Sequence, residues 1–250
     1  MGLISYLANP VQFLRFSRFA TPVSGVLALG LIIIGLALAL FISPPAEEHG
    51  QAVRIMYVHV PAAWCAMAAY SAIAVASFVS FVWRHSLADS VARSLALPGA
   101  AFTFLALVTG SLWGRPAWGT WWQWDGRMTS VLILLFIYIG YMAIWNIVTD
   151  RQQASRLAAI LAMVGALNLP IIKFSVNWWN TLHQPATISE PGAPGLPTEL
   201  LMPLLFMTLG YTALLAWFAL RGTEAELAVL KRNRAAQTKP ANVTIEDVQS

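Results

Sequence analysis

Two histidines, two arginines and a run of tryptophans carry most of the chemistry this sequence can perform. The run is WGRPAWGTWWQWDGR, residues 113–127. In it Trp113, Trp118, Trp121, Trp122 and Trp124 take five of twelve positions, nearly half of the chain's 11 tryptophans. Indoles grouped this way bury a large planar apolar ligand at low rotamer cost, or anchor a partner protein. Positions 118, 121, 122 and 125 follow helical spacing, which predicts a short surface helix with Trp118, Trp121, Trp122 and Asp125 on one side. Gly114, Pro116 and Gly119 predict an irregular start to that helix. Single strands of nucleic acid also stack on aromatic platforms, but the stretch lacks a basic groove to track phosphates, so that class of ligand is rejected.

The histidines narrow the choice. His59 and His183 lie in different segments, each at the mouth of an apolar stretch and each close to a proline. Taken singly, either reads as an ordinary interfacial residue. Two that flank an aromatic shelf in one compartment suggest more, because neutral imidazole is a good iron ligand and a pair completes the axial coordination of a haem. Haem also brings propionate carboxylates, which arginine matches bidentately. Arg54 and Arg127 adjoin His59 and the shelf; snorkelling to lipid headgroups is their alternative reading. Asp125 reads as a partner of Arg127 or as an acceptor of backbone N–H groups, not as an iron ligand. His49, beside Glu47 and Glu48, and His85 read as solvated.

The elements that must position these groups follow from composition. Of the 250 residues, 58% are hydrophobic and 10% charged, where a soluble domain carries roughly 25% charged residues. Such a chain cannot cover a water-facing surface, and the class is an all-α integral membrane protein. A span needs about 20 apolar residues to cross a ~30 Å hydrocarbon core. Six stretches are predicted to do so, at 23–42, 58–83, 95–112, 131–148, 157–172 and 200–220. They give a six-helix bundle with a short Trp-rich surface helix or loop outside it. The fifth contains Asn168 and Pro170, which predict an irregular outer end whose freed backbone groups find partners inside the bundle. The segment PVQFLRFSRF, residues 10–19, predicts a short helix in the headgroup layer or a loose basic tail. Scattered tryptophans such as Trp83, Trp145 and Trp217 read as an interfacial belt, and Trp178 and Trp179 fit either a belt or the shelf.

Charge orients the bundle. The N-terminus, the segments near 84–94 and 149–156, and the tail after Leu220 hold 11 of the 15 Lys and Arg residues, leaving Arg54, Arg115, Arg127 and Lys173 on the other side. The positive-inside rule puts both termini in the cytoplasm and the tryptophan run outside. The membrane domain is predicted to end near residue 221, with 222–250 a cytoplasmic tail that begins as a solvated helix. Cys65, the single cysteine, lies in an apolar run and reads as buried; one cysteine excludes an internal disulfide framework and a CxxCH haem-attachment site. No GxxxxGK[ST] or HExxH motif is present, so ATP hydrolysis and zinc proteolysis lack their usual parts.

Trp118-Gly119-Thr120-Trp121-Trp122-Gln123-Trp124-Asp125 matches WGxxWxWD, the signature of haem-handling membrane proteins. With six spans and histidines on both sides of the signature, the chain resembles the CcmC family of haem exporters in cytochrome c maturation, over essentially residues 1–221. The resemblance implies haem b, bound non-covalently and transiently at the outer face of the bacterial inner membrane. It implies axial positions for His59 and His183, and a signature loop that supports haem for the haem chaperone CcmE. It implies the partners CcmA, CcmB and CcmD, with ATP hydrolysis belonging to a partner, and a carrier rather than an enzyme. The alternative is a haem lyase acting directly on apocytochrome c, against which the chain shows no extra spans and no sizeable outer domain.

Overall fold

The computed structural model describes residues 8–46, 50–178 and 196–237. Apart from one antiparallel bridge between Ala46 and Gly50, the regular structure among them is helical. Helix α1 (Pro10–Ala37) starts where the Asn9 side chain accepts from the Val11 N–H and Pro10 takes a position that needs no N–H. It runs on through a π-helical turn, Leu38–Ile42. The basic stretch 10–19 is therefore the first turns of one continuous span and not a separate headgroup helix. The cap at Asn9 starts the helix, and nothing between Phe19 and Val23 stops it.

A 3-10 turn (Gln51–Ile55) leads into α2 (Met56–Trp83), followed by α3 (Ser86–Trp118), α4 (Gly126–Ile147), α5 (Arg151–Gly165), α6 (Asn168–Trp178) and α7 (Thr198–Gln237). Six segments are long and apolar enough to cross a membrane: Pro10–Ile42, Gln51–Trp83, Ser86–Trp118, Gly126–Ile147, Arg151–Trp178 and Thr198–Ala236. The predicted spans fall on these six, and most are shorter because polar turns continue the helices past the apolar runs. The irregularity expected near Asn168 and Pro170 is a break at Ala166–Leu167. The Leu169 N–H bonds the Ala166 carbonyl at 3.1 Å, and Asn168 Nδ2 donates to the Ser130 carbonyl of α4 at 2.8 Å, so the break closes on protein and not on lipid.

Small residues set the helix spacing. Lipid is as apolar as leucine, so spans associate by close packing and hydrogen bonds rather than by excluding water. The core holds Ala62, Ala66 and Ala69 of α2 and Ala96, Ala100 and Ala106 of α3, all buried, and α2 and α3 form the most extensive interface. Tyr138 of α4 lies over Gly99 and donates to the Ala66 carbonyl at 2.8 Å, joining α4 to both. Helices α1 and α7 pack in opposite directions: Gly35 meets Met207, Ile32 meets Gly210, Gly25 meets Trp217, and Thr21 bonds Glu224. Fully buried Cys65 lies in the same core.

At the end of the bundle where α1 begins and α7 ends, ion pairs tie three helices together and cation-π contacts add a fourth. Arg93 of α3 pairs with Glu226 of α7 at 3.1 Å, and Arg151 of α5 lies 3.6 Å from Asp89 and 3.9 Å from Glu226. Ser155 donates to Asp89, and both guanidiniums lie over the Trp145 ring at 5.1 and 5.4 Å. Trp145 is thus a cation-π platform and not part of a lipid-facing belt, whereas Trp83 is exposed as a belt residue is. His85 caps α3 by accepting from the Ala88 N–H.

A methyl group at Gly99 would run into the Tyr138 ring. Gly99→Ala is expected to cost about 1–3 kcal/mol through overpacking. The check is a lower apparent melting temperature for the detergent-purified variant, which Tyr138→Leu, by vacating the clash, should partly restore.

Candidate functional site

Among the described residues, the candidates lie at the end of the bundle opposite the start of α1, where α2 and α4 begin and α3 ends. His59 lies one turn into α2 and is half-buried against α3. Its Nδ1 is 3.0 Å from the Ala106 carbonyl and 3.1 Å from Thr109 Oγ1. A carbonyl only accepts, so Nδ1 carries the proton. The Thr109 hydroxyl donates to the Leu105 carbonyl at 2.7 Å, which leaves its oxygen to accept from the same N–H. Neutral His59 is therefore the tautomer whose lone pair is on Nε2. Metal-ligating histidines use this arrangement, with one nitrogen anchored to a carbonyl and the other facing the metal.

Three neighbours shape the imidazole's place. Gly110 approaches so closely that a Cβ there would be 3.0 Å from His59 Cε1. Trp113 meets the ring edge-on, with centroids 6.0 Å apart and planes at 82°. Ala106, Thr109, Gly110 and Trp113 recur at i, i+3, i+4 and i+7, one face of α3. That spacing was available in the sequence, but nothing in it says that the face meets His59; only the α2–α3 packing does. Two residues before His59, Tyr57 is fully buried with its hydroxyl 2.5 Å from Ser43 Oγ, which pins the end of α1 to the start of α2.

The tryptophan run is not a separate surface helix. Trp113 through Trp118 belong to α3, which continues through Gly114 and Pro116. Helix α3 stops at Gly119 in the left-handed conformation, φ +78°, which favours glycine. The Gly119 N–H returns to the Arg115 carbonyl at 3.0 Å, and the Arg115 guanidinium bonds the Gly119 carbonyl. Residues 120–125 are an irregular link. Thr120 Oγ1 donates to the Trp122 carbonyl at 2.9 Å, and Asp125 Oδ1 accepts from the Met128 N–H at 2.7 Å and so caps α4. Both roles foreseen for Asp125 have support: it accepts the backbone N–H, and its charge acts on the Arg127 guanidinium. Helical spacing misled here because glycine and local side-chain bonds compete with the helix.

The indoles divide by exposure. Trp113, Trp118 and Trp122 are half-buried, and Trp118 lies against Gly114. Trp121 and Trp124 are exposed at 56% and 74%, and Trp124 stands edge-on to Trp122 at 5.3 Å. Arg54 lies in the 3-10 turn that packs on α2 and α3, and Arg127 is in the first turn of α4, where Ser130 donates to its carbonyl. Both arginines are half-buried. Arg54 Nε and Trp122 Nε1 are buried with no hydrogen-bond partner among the described residues. A ligand with acceptor oxygens fits such donors, since a buried unsatisfied donor costs about 1–3 kcal/mol. Trp178 is exposed beside Phe174 at the end of α6. His183, Trp179 and His49 lie outside the described residues.

Comparison with known proteins shows the family. The family model described as CcmC, Heme exporter protein C, matches residues 3–239. The chain is similar to Heme exporter protein C of Bradyrhizobium diazoefficiens, 47% identical over 236 residues, covering 94% of this chain and 89% of that one. It is similar to Heme exporter protein C of Escherichia coli, 38% identical over 228 residues, covering 91% and 92%. A Marchantia polymorpha protein named as ccmC-like and mitochondrial, in cytochrome c biosynthesis, is 42% identical over 177 residues, covering 71% and 75%.

Loss of the cap at Asp125 should loosen the link without removing any tryptophan. Asp125→Ala is expected to cost about 1 kcal/mol and Asp125→Asn much less, because asparagine caps nearly as well. Limited proteolysis within 119–126, faster for the alanine variant alone, is the check.

Proposed function

The chain belongs to the CcmC family of haem exporters, and from that premise we propose that it is a haem-docking and delivery protein, with His59 and His183 as axial ligands of a transient, non-covalent haem b. Membership of the family gives a multi-pass membrane protein that handles haem in cytochrome c maturation. The observation that carries the finer reading is the fixed tautomer of His59, whose Nδ1–H is anchored on the Ala106 carbonyl. That anchor keeps Nε2 basic and fixes the ring plane, so iron binding costs little reorientation.

In this reading His183 approaches the iron from the other side. The half-buried Trp113, Trp118 and Trp122 form the shelf, with Gly114 and Gly119 shaping its turn into the loop. The exposed Trp121 and Trp124 face the porphyrin or the acceptor, and Asp125 holds the loop at the head of α4. Arg54 and Arg127 take the propionates; the unsatisfied Arg54 Nε supports this. The site lies in the periplasm, with both termini in the cytoplasm of a bacterial cell bounded by its inner membrane, and residues after 221 form the cytoplasmic tail. Haem passes to the chaperone CcmE, and CcmA, CcmB and CcmD supply the ATP-driven release. Covalent attachment belongs to the acceptor, which makes this protein a carrier.

The detergent-purified protein should show a sharp Soret band. His59→Ala or His183→Ala should each weaken it, and the double variant should abolish it. Gly110→Val should also weaken it with both histidines intact, because the added methyls displace the His59 ring. A double variant with wild-type haem content and spectrum would sink the ligand assignment.

A further inference from the structure

At the end of the bundle away from His59, α1 and α7 line an open cavity of about 620 Å³. It is lined by Leu14, Ser17, Arg18, Thr21, Pro22, Trp217, Arg221 and Glu224, and the four that decide its chemistry are Arg18, Arg221, Pro22 and Trp217. The proposed haem site uses none of them.

Helix geometry sorts this lining into tiers. Arg18 precedes Pro22 by four residues and Arg221 follows Trp217 by four, and the helices run in opposite directions. Both arginines therefore leave the backbone about 6 Å nearer that end of the bundle than the apolar pair. The Trp217 indole is held at its depth by Gly25, where a Cβ would be 3.0 Å from its ring. Charge outside and hydrocarbon inside is the order of groups in a phospholipid at a membrane surface.

The charges in the cavity do not cancel. Glu224 accepts from Thr21 at 3.0 Å and pairs with Arg221 at 3.1 Å, so its carboxylate is already engaged on both oxygens. Arg18 has no acidic partner among the described residues and is exposed to the cavity mouth. The net charge of the lining is one positive, from two arginines and one glutamate. Haem is also an anionic amphiphile, but this lining has no imidazole and a single indole, which favours a flexible lipid over a porphyrin. Basic pockets between spans at the cytoplasmic surface bind anionic headgroups.

We propose that this cavity is a binding site for one anionic phospholipid, with the phosphodiester on Arg18 and Arg221 and the first acyl segments against Pro22 and Trp217. The lipid would bridge the first and last spans and so close the bundle where its two ends meet.

Native mass spectrometry of the full chain released from nanodiscs tests this. In phosphatidylglycerol nanodiscs one retained lipid is expected per chain, and in phosphatidylcholine nanodiscs little or none. Arg18→Gln should reduce retention about tenfold, the loss of one charge-assisted hydrogen bond to phosphate. Arg15→Gln, an exposed neighbour outside the cavity, should change it by less than about twofold. Equal retention of both lipids, or equal loss in the two variants, would overturn the proposal. So would inorganic phosphate that abolishes phosphatidylglycerol retention by taking its place, or haem recovered in the cavity by cross-linking.

Discussion

The approach of α2 to α3 through alanine and glycine is the constraint on which the rest of the structure depends. Spans in lipid gain nothing from hiding leucine against leucine, so they come together where side chains are small enough for backbones to meet. That proximity lets an imidazole on α2 reach a main-chain oxygen of α3 within 3.0 Å. It also lets a tyrosine of α4 span both partners. A bulkier α3 would move the whole mouth of the bundle outward, and the histidine, the edge-on Trp113 and the 3-10 turn with Arg54 would part. Tertiary packing and the geometry of the candidate site are here the same contacts.

Much of this was legible in the sequence. Hydropathy located all six crossings, because an apolar run of span length has few other uses, and charge-poor composition fixed the class. Asn168 and Pro170 pointed to a broken fifth span, which they produce. The tryptophan signature carried the resemblance to the haem-exporter family, to which the chain belongs. Other features depend on who the neighbour is. Gly110 reads as one more small residue in an apolar helix until His59 is known to lie against it. Trp145 reads as a lipid-facing ring until two arginines from other helices are found over it. Residues 118–125 have helical spacing, yet the left-handed turn at Gly119 and the side-chain bonds of Thr120 and Asp125 decide otherwise.

Both ends of the bundle carry buried polar groups. At the end where α1 begins and α7 ends, ion pairs join Asp89, Arg93, Arg151 and Glu226, yet Arg151 Nη2 and Trp145 Nε1 have no hydrogen-bond partner among the described residues. At the far end Arg54 Nε and Trp122 Nε1 are without one as well. The difference lies in charge: the first end pairs acids with bases, whereas Arg54 at the far end has no such network around it among the described residues.

The last helix has a mechanical consequence. Its 40 residues make a rod of about 60 Å, twice the ~30 Å thickness of the hydrocarbon layer. Its only proline, Pro203, falls within the first two turns, so the remaining length has no joint. The rod is longer than the hydrocarbon layer is thick and is gripped along its length by α1 and by Arg93. With no joint after Pro203, a displacement of its last turns is not absorbed by a hinge within the helix.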